Sequence, residues 1–465
     1  MTVRLLRTAM PLALAAACVL AALPAAAQRD GDADDAALAE EKGHTFGVEI
    51  KAHFRDSDAE RFGLRRLSDP AGSPPTAFLE TVEAGEHFEV STATVFYRGT
   101  WGEEGRWNAK AKIDFIDLHD RNPTSSDREW DIDELWLTYG RELEPDELHD
   151  KGFSGYVKLG KFAKFERQDD RHLESYGLIS TASNRLEDVG VEVGLDFGRF
   201  FYAKGSITQG NPLFLRDVNA LAGDKTLRPS YAQLGPPREL GSGFPILYDA
   251  DVDEIDFDNP ETGLALGLRT GDEGGFWSFN LMAFRYYREL ADAVDLDNTP
   301  YDGDLALLLG PFNSSPLPIT SSEKEEWGLT AWLYAGDLTL FAQYIDQEIA
   351  GLERTGFEVE VSYDIALPYW GALWGRQVLP FIAPAVRYSE LDPEFGAVPG
   401  SLIISADWDW EKIDYGLRLG LLEGVADMTL EYNDNEFIRA GREESADEFL
   451  ATLRLMWDWR TLSAF

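Results

Sequence analysis

Apolar and polar side chains alternate with period two along most of the chain. Near 44–55, Phe46, Val48, Ile50, Ala52 and Phe54 fall on one face, with Glu49, Lys51, His53 and Arg55 on the other. Successive side chains of a strand point to opposite faces, so such a segment has one apolar and one wet face. At 106–118 the sides are Trp107, Ala109, Ala111, Ile113 and Phe115 against Asn108, Lys110, Lys112 and Asp114. The habit recurs at 88–101, 132–141, 153–162, 188–198, 200–208, 262–270, 275–286, 326–335, 338–346 and 355–366. It continues through 378–389, where Pro380 and Pro384 interrupt it, and through 411–422, 425–433 and 447–465, giving about sixteen strands.

The predicted connections sort into two kinds. Even-to-odd junctions are mostly short and marked by glycine, as in Gly102-Glu103-Glu104-Gly105, Gly271-Asp272-Glu273-Gly274 and Glu423-Gly424. Glycine supplies the positive φ that tight hairpins need. Odd-to-even junctions are usually long and polar, as at 56–87, 163–187, 209–261 and 287–325. Short turns on one rim and long loops on the other predict an all-β fold, a transmembrane antiparallel β-barrel with short periplasmic turns and long extracellular loops. Closure is required in lipid, which offers no partner to an edge N–H or C=O. A soluble sandwich would not segregate its loops by length, and no shared repeat of propeller length is visible.

Residues 1–27 read as a cleaved export signal. Arg4 and Arg7 precede an apolar run from Ala9 to Leu23, and Ala25-Ala26-Ala27 offers a small-residue cleavage site. A lipoprotein signal would instead cut before Cys18, where Ala15-Ala16-Ala17 lacks a large aliphatic residue. Residues 28–43 are a short acidic periplasmic lead-in, too short for a transporter plug, and 44–465 make the barrel. Cys18 is the sole cysteine, so cleavage after Ala27 leaves no disulfide or thiolate metal site. The net charge of −41 excludes nucleic acid as a partner, because the surface would repel phosphates. No apolar run after the leader is long enough for a membrane helix.

Asp133-Glu134-Leu135-Trp136-Leu137-Thr138-Tyr139-Gly140, then Tyr156-Val157-Lys158-Leu159-Gly160-Lys161-Phe162, then Leu186-Glu187-Asp188-Val189-Gly190-Val191-Glu192-Val193 form a familiar succession. It resembles the outer-membrane porins of the phosphate-selective O and P family. The resemblance implies a sixteen-stranded channel, a homotrimer, with basic residues at its constriction. No run in this chain matches that constriction, so phosphate selectivity is not carried over. Alginate-export barrels share a similar strand habit, and a polysaccharide-export barrel is the alternative reading.

If the apolar face meets lipid, the opposite face lines a pore. Candidate pore-lining residues are the bases Lys51, Lys110, Lys112, Lys158, Lys204, Arg269, Arg418 and Arg454 and the acids Glu192, Glu358 and Glu360. Charges on inward positions imply a water-filled lumen, since unpaired charges in a dry core are costly. Lysines on the third strand facing Glu358 and Glu360 on the twelfth would set a transverse field that sorts solutes by charge and size. The long 209–261 connection carries candidate constriction residues Asn211, Phe214, Arg216 and Asp217. Phe465, closing an alternating last strand, is a candidate signal for the barrel-assembly machinery.

Catalysis finds no foothold. The six histidines show no metal-ligand spacing, and Gly241-Ser242-Gly243 lacks the nucleophile-elbow pattern. No cofactor is expected. Asp249, Asp251 and Asp253 alternate in an acidic run that could hold Ca²⁺, but the run lacks the glycine and distal glutamate of an EF-hand. The expected partners are outer-membrane lipid, lipopolysaccharide and small polar solutes, and the expected function is a diffusion porin in the outer membrane of a Gram-negative bacterium.

Overall fold

A computed structural model describes residues 43–57, 61–64, 77–80, 85–117, 130–149, 152–168, 171–184, 187–210, 238–240, 255, 257–272, 275–290, 319–395, 408–439 and 442–462. Sixteen long strands form one closed antiparallel sheet. They are β1 Gly43–Ser57, β2 Gly85–Trp101, β3 Trp107–Asp117, β4 Asp131–Gly140, β5 Phe153–Ala163, β6 Glu187–Phe197, β7 Phe201–Thr208 and β8 Glu261–Gly271. The circuit continues with β9 Trp277–Glu289, β10 Glu323–Ala335, β11 Leu338–Ile349, β12 Leu352–Tyr363, β13 Phe381–Glu394, β14 Asp409–Leu422, β15 Ala426–Arg439 and β16 Arg442–Leu462. Each strand pairs with its chain neighbours, and β1 closes the ring on β16 from Gly43↔Leu462 to Ser57↔Glu448. Among the described residues no helix is long and apolar enough to cross a membrane. The wall itself does the crossing.

Alternation explains the two surfaces. On β8, Leu264 and Leu266 are about 60% exposed while Ala265 between them is buried. The exposed apolar set includes Leu135, Leu137, Val157, Leu159, Val191, Val193 and Leu329, which are the outward positions expected from period two. A belt this apolar is stable only against lipid. All sixteen strands lie where the sequence places them, with ends shifted by a few residues.

The rims also differ as expected, with two exceptions. The turn between β11 and β12 is only Ala350-Gly351, and β15 and β16 pair as far as Arg439↔Arg442, both at the long-loop rim. On that rim, Arg61–Leu64, Ala77–Glu80 and Arg238–Leu240 form a small separate sheet. Residues 238–240 of the 209–261 connection thereby clasp the β1–β2 connection. Asn211, Phe214, Arg216 and Asp217, the acidic run at Asp249, Asp251 and Asp253, and Phe465 lie outside the described residues.

The lumen differs from the wholly wet interior expected. Inward positions of β7–β11 carry Tyr202, Ala265, Met282, Phe284, Tyr286, Trp332, Tyr334, Phe341 and Ile345, all buried in one cluster. Trp408, Trp410 and Phe437 stack together within the same cluster, with centroids 4.8–5.9 Å apart. Side chains this large fill one flank of the barrel and leave a cavity on the other.

Candidate functional site: a basic vestibule and an inward segment

The cavity has a volume of about 830 Å³. It runs from short-turn residues such as Gly105, Pro145 and Gly424 up to Phe165 and Arg167. Eleven cationic side chains line it against eight carboxylates, although the whole chain is strongly acidic. Lys110, Lys112, Lys158, Lys204, Arg269, Arg418, Arg454 and Glu192 all border it. They arrive there because each occupies an inward position of its strand.

Most of these cations are held by carboxylates. Lys110 pairs with Glu134 at 2.7 Å, Lys112 with Asp133 at 2.6 Å, and Arg454 with Glu49 at 2.7 Å. Arg269 pairs with Asp196 at 3.3 Å and lies 4.2 Å over the Tyr202 ring. Arg418 pairs with Asp427 at 3.2 Å. Glu142, in the β4–β5 turn, binds Lys158 and, at 2.7 Å, Lys204. Burial opposes its ionisation, but the two ammonium groups outweigh burial and hold its carboxyl well below the ordinary range. On β3 the lysines keep more exposed surface than their acids: 22% against 10% for Lys110–Glu134, and 29% against 18% for Lys112–Asp133. The β3 wall therefore presents positive charge to the cavity.

Three candidates sit elsewhere. Lys51, Glu358 and Glu360 do not border the cavity; they are covered by the segment that joins β5 to β6. That segment, 164–184 with 169–170 undescribed, turns into the lumen instead of rising from the rim. Its backbone is fixed to the far wall by charged side chains. Glu360 accepts the His172 N–H at 3.0 Å, Glu358 the Ile179 N–H at 3.3 Å, and Glu431 the Glu174 and Ser175 N–H groups. Arg387 donates to the Ser175 carbonyl at 2.8 Å, Lys412 to the Tyr176 carbonyl at 2.9 Å, and Arg354 to the Ala182 carbonyl. Lys51 completes the clamp on Glu174 at 2.7 Å. Outside its helical turn at Ser180–Asn184, a chain with so few local backbone bonds must find its partners on the wall.

The wall is shaped to receive it. A Cβ on Gly416 would stand 2.1 Å from Leu173 Cδ2, and one on Gly356 would stand 1.9 Å from Ile179 Cδ1. These two strand glycines are grooves for the segment's apolar side chains. The transverse field expected between Lys110 and Lys112 and the acids Glu358 and Glu360 is therefore not available to solutes. Those acids are spent on backbone N–H groups and, for Glu360, on Arg387 at 3.5 Å.

Glu166 gives the segment a pH dependence. It is fully buried, and the Tyr286 hydroxyl donates to it at 2.6 Å. Burial, aided by Glu326 and opposed by Lys164, pushes its carboxyl up to about 8. The folded value lies above the ordinary carboxyl value of 4.5, so the folded state holds the extra proton between those two values and loses stability as pH rises through about 8. Single-channel conductance is expected to rise as pH passes about 8, and a Glu166→Gln variant is expected to show a flat profile there.

No protein-family model matches the chain. No curated protein matches it. Among solved structures it is similar to the outer-membrane channel DcaP of Acinetobacter baumannii, at 9% identity over 89% of this chain and 97% of that one, with a TM-score of 0.47. It is similar also to OprB of Pseudomonas putida, at 12% identity over 90% and 94%, TM-score 0.47. An anion-selective porin from Comamonas acidovorans gives 11% identity over 89% and 98%, TM-score 0.44. Likenesses this distant carry no argument about selectivity or substrate.

The segment at 164–184 was not singled out by the sequence, which points to 209–261 for constriction. Its signals are indirect: acids at the inward positions Glu358, Glu360 and Glu431, and glycines at inward positions of β12 and β14.

Proposed function

We propose that the protein is an outer-membrane diffusion channel for small polar or ionic solutes, with the inward segment setting its width and the basic vestibule favouring anions. The observation that carries this reading is the vestibule itself: a polar cavity inside a closed barrel whose outer face is apolar. Cations outnumber carboxylates on its walls in a chain that is otherwise acidic, so the excess is local. Low-dielectric walls focus that charge on passing ions. The acidic remainder of the surface does not face the cavity. An export barrel for a long polymer would need an uninterrupted lane, and the segment crossing to β12–β15 opposes it.

The test is the reversal potential across a planar bilayer in unequal salt. The wild type is expected to pass anions in preference to cations. Lys110→Gln with Lys112→Gln removes the two β3 charges that are more exposed than their acid partners and is expected to shift the reversal potential toward cation preference. Identical potentials in the two proteins would refute the assignment of selectivity to β3. The shift should shrink at high salt, where screening is short-ranged.

A further inference from the structure

The connection between β12 and β13 is unlike the other short turns. It extends the wall: Val378 bridges Leu422, Gln377 N–H donates to Glu423 Oε2 at 2.9 Å, and Arg376 donates to the Glu423 carbonyl at 3.0 Å. Beyond that anchor, Ala372↔Gln377 and Leu373↔Arg376 pair as a hairpin. Its tip is Trp374-Gly375, with φ of 55° and 83°. Two successive positive φ values belong to a hairpin turn that favours Asn or Gly, and here the first position is a tryptophan. Trp374 is 85% exposed, and Tyr369 and Trp370 are each 71% exposed.

Two further observations say what covers this surface. Around β3–β6, β9 and β16 the short-turn ends carry exposed outward aromatics: Trp107, Tyr139, Phe153, Phe197, Trp277 and Trp459. From β10 to β15 the described short-turn ends carry only the half-buried Tyr363 in that role. The hairpin lies in that gap and supplies the missing rings. Its charge also fits. Residues 365–380 contain no Asp or Glu, in a chain that has 83, and contain one cation, Arg376. The tip stands three residues past the Gln377–Glu423 anchor, or about 10 Å of strand, the scale of a headgroup layer.

We propose that the 372–377 hairpin, with the 369–371 residues leading into it, is an anchor that seats Tyr369, Trp370 and Trp374 in the phospholipid headgroup layer at the short-turn rim. Tryptophan and tyrosine favour that depth because one edge of the ring is apolar and the other can hydrogen-bond. The absence of acids removes the repulsion that the rest of this surface would have for anionic headgroups. The orientation rests on the outer-membrane reading above, in which this rim faces the periplasm.

The test uses the full chain in vesicles of phosphatidylethanolamine and phosphatidylglycerol. In a Cys18→Ala background, Ala372→Cys offers a single thiol for an environment-sensitive fluorophore. The expected result is a blue-shifted emission, quenched by lipids spin-labelled near the headgroup and shielded from aqueous iodide. Adding Tyr369→Ser, Trp370→Ser and Trp374→Ser should return the emission to that of water. Water-like emission without those changes would overturn the anchor. So would shielding from iodide without lipid quenching, which would instead indicate a protein covering the hairpin. Conductance recorded on the same samples separates the two claims: a conducting barrel with a water-exposed probe refutes only the anchor, and a non-conducting barrel with a lipid-quenched probe refutes only the channel.

Discussion

Deleting residues 171–180 is expected to widen the channel and leave the barrel folded. These ten residues include the contacts to Glu360, Glu431, Glu358, Arg387 and Lys412, so their loss frees the wall they cross. The barrel does not depend on them for closure, because every strand pair is made by wall residues alone. Single-channel conductance is expected to rise about twofold or more, since a polar lumen conducts in proportion to its open section. A finer variant reaches the same end from the wall side. Gly416→Leu places a side chain where Leu173 sits, with even its Cβ only 2.1 Å from Leu173 Cδ2. Overpacking of this kind costs about 1–3 kcal/mol, which the segment can escape by leaving the wall. Higher conductance in both variants supports the constriction; unchanged conductance in both removes it.

Arg387→Ala is expected to be the most damaging single change in the lumen. Arg387 is fully buried and bonds Asp414 at 2.7 Å, Glu360 at 3.5 Å and the Ser175 carbonyl and hydroxyl at 2.8 and 2.9 Å. Removing it leaves Asp414 to Lys412, at 3.0 Å, and Glu360 to the His172 N–H, and breaking a buried pair in this way costs about 3–5 kcal/mol. Both the wall at β12–β14 and the seat of the segment lose their common cation. Urea unfolding followed by tryptophan fluorescence should show the midpoint falling by far more than it does for Arg285→Ala, an outward pair partner of Glu325 at 2.6 Å. Equal losses would show that the buried network is not a keystone.

The wall was legible because period two acts on every residue of it. A strand such as β8 has to show Leu264 and Leu266 to lipid and turn Ala265 and Arg269 inward, and a one-residue error would invert both faces. Turn length was legible at Gly102 and Gly424, where positive φ makes glycine necessary. Inward positions were read by charge alone, which found the cations on the cavity wall and overlooked Phe284, Tyr286, Trp332 and Phe341. An inward aromatic looks no different in sequence from an outward one displaced by a register slip. The inward segment was hidden for another reason. It has no periodicity, and the wall partners named above stand 120 to 257 residues away, so no local pattern encodes its path. Lys51, Glu358 and Glu360 were recognised as inward charges, but what they face is chain and not water.

The central claim is that this barrel holds a conducting, size-limited aqueous path. The most direct measurement is single-channel conductance of the purified protein in a planar bilayer. Discrete steps, enlarged when residues 171–180 are deleted, are the result predicted. A silent bilayer, in which neither the wild type nor the deletion variant conducts after verified insertion, would contradict it.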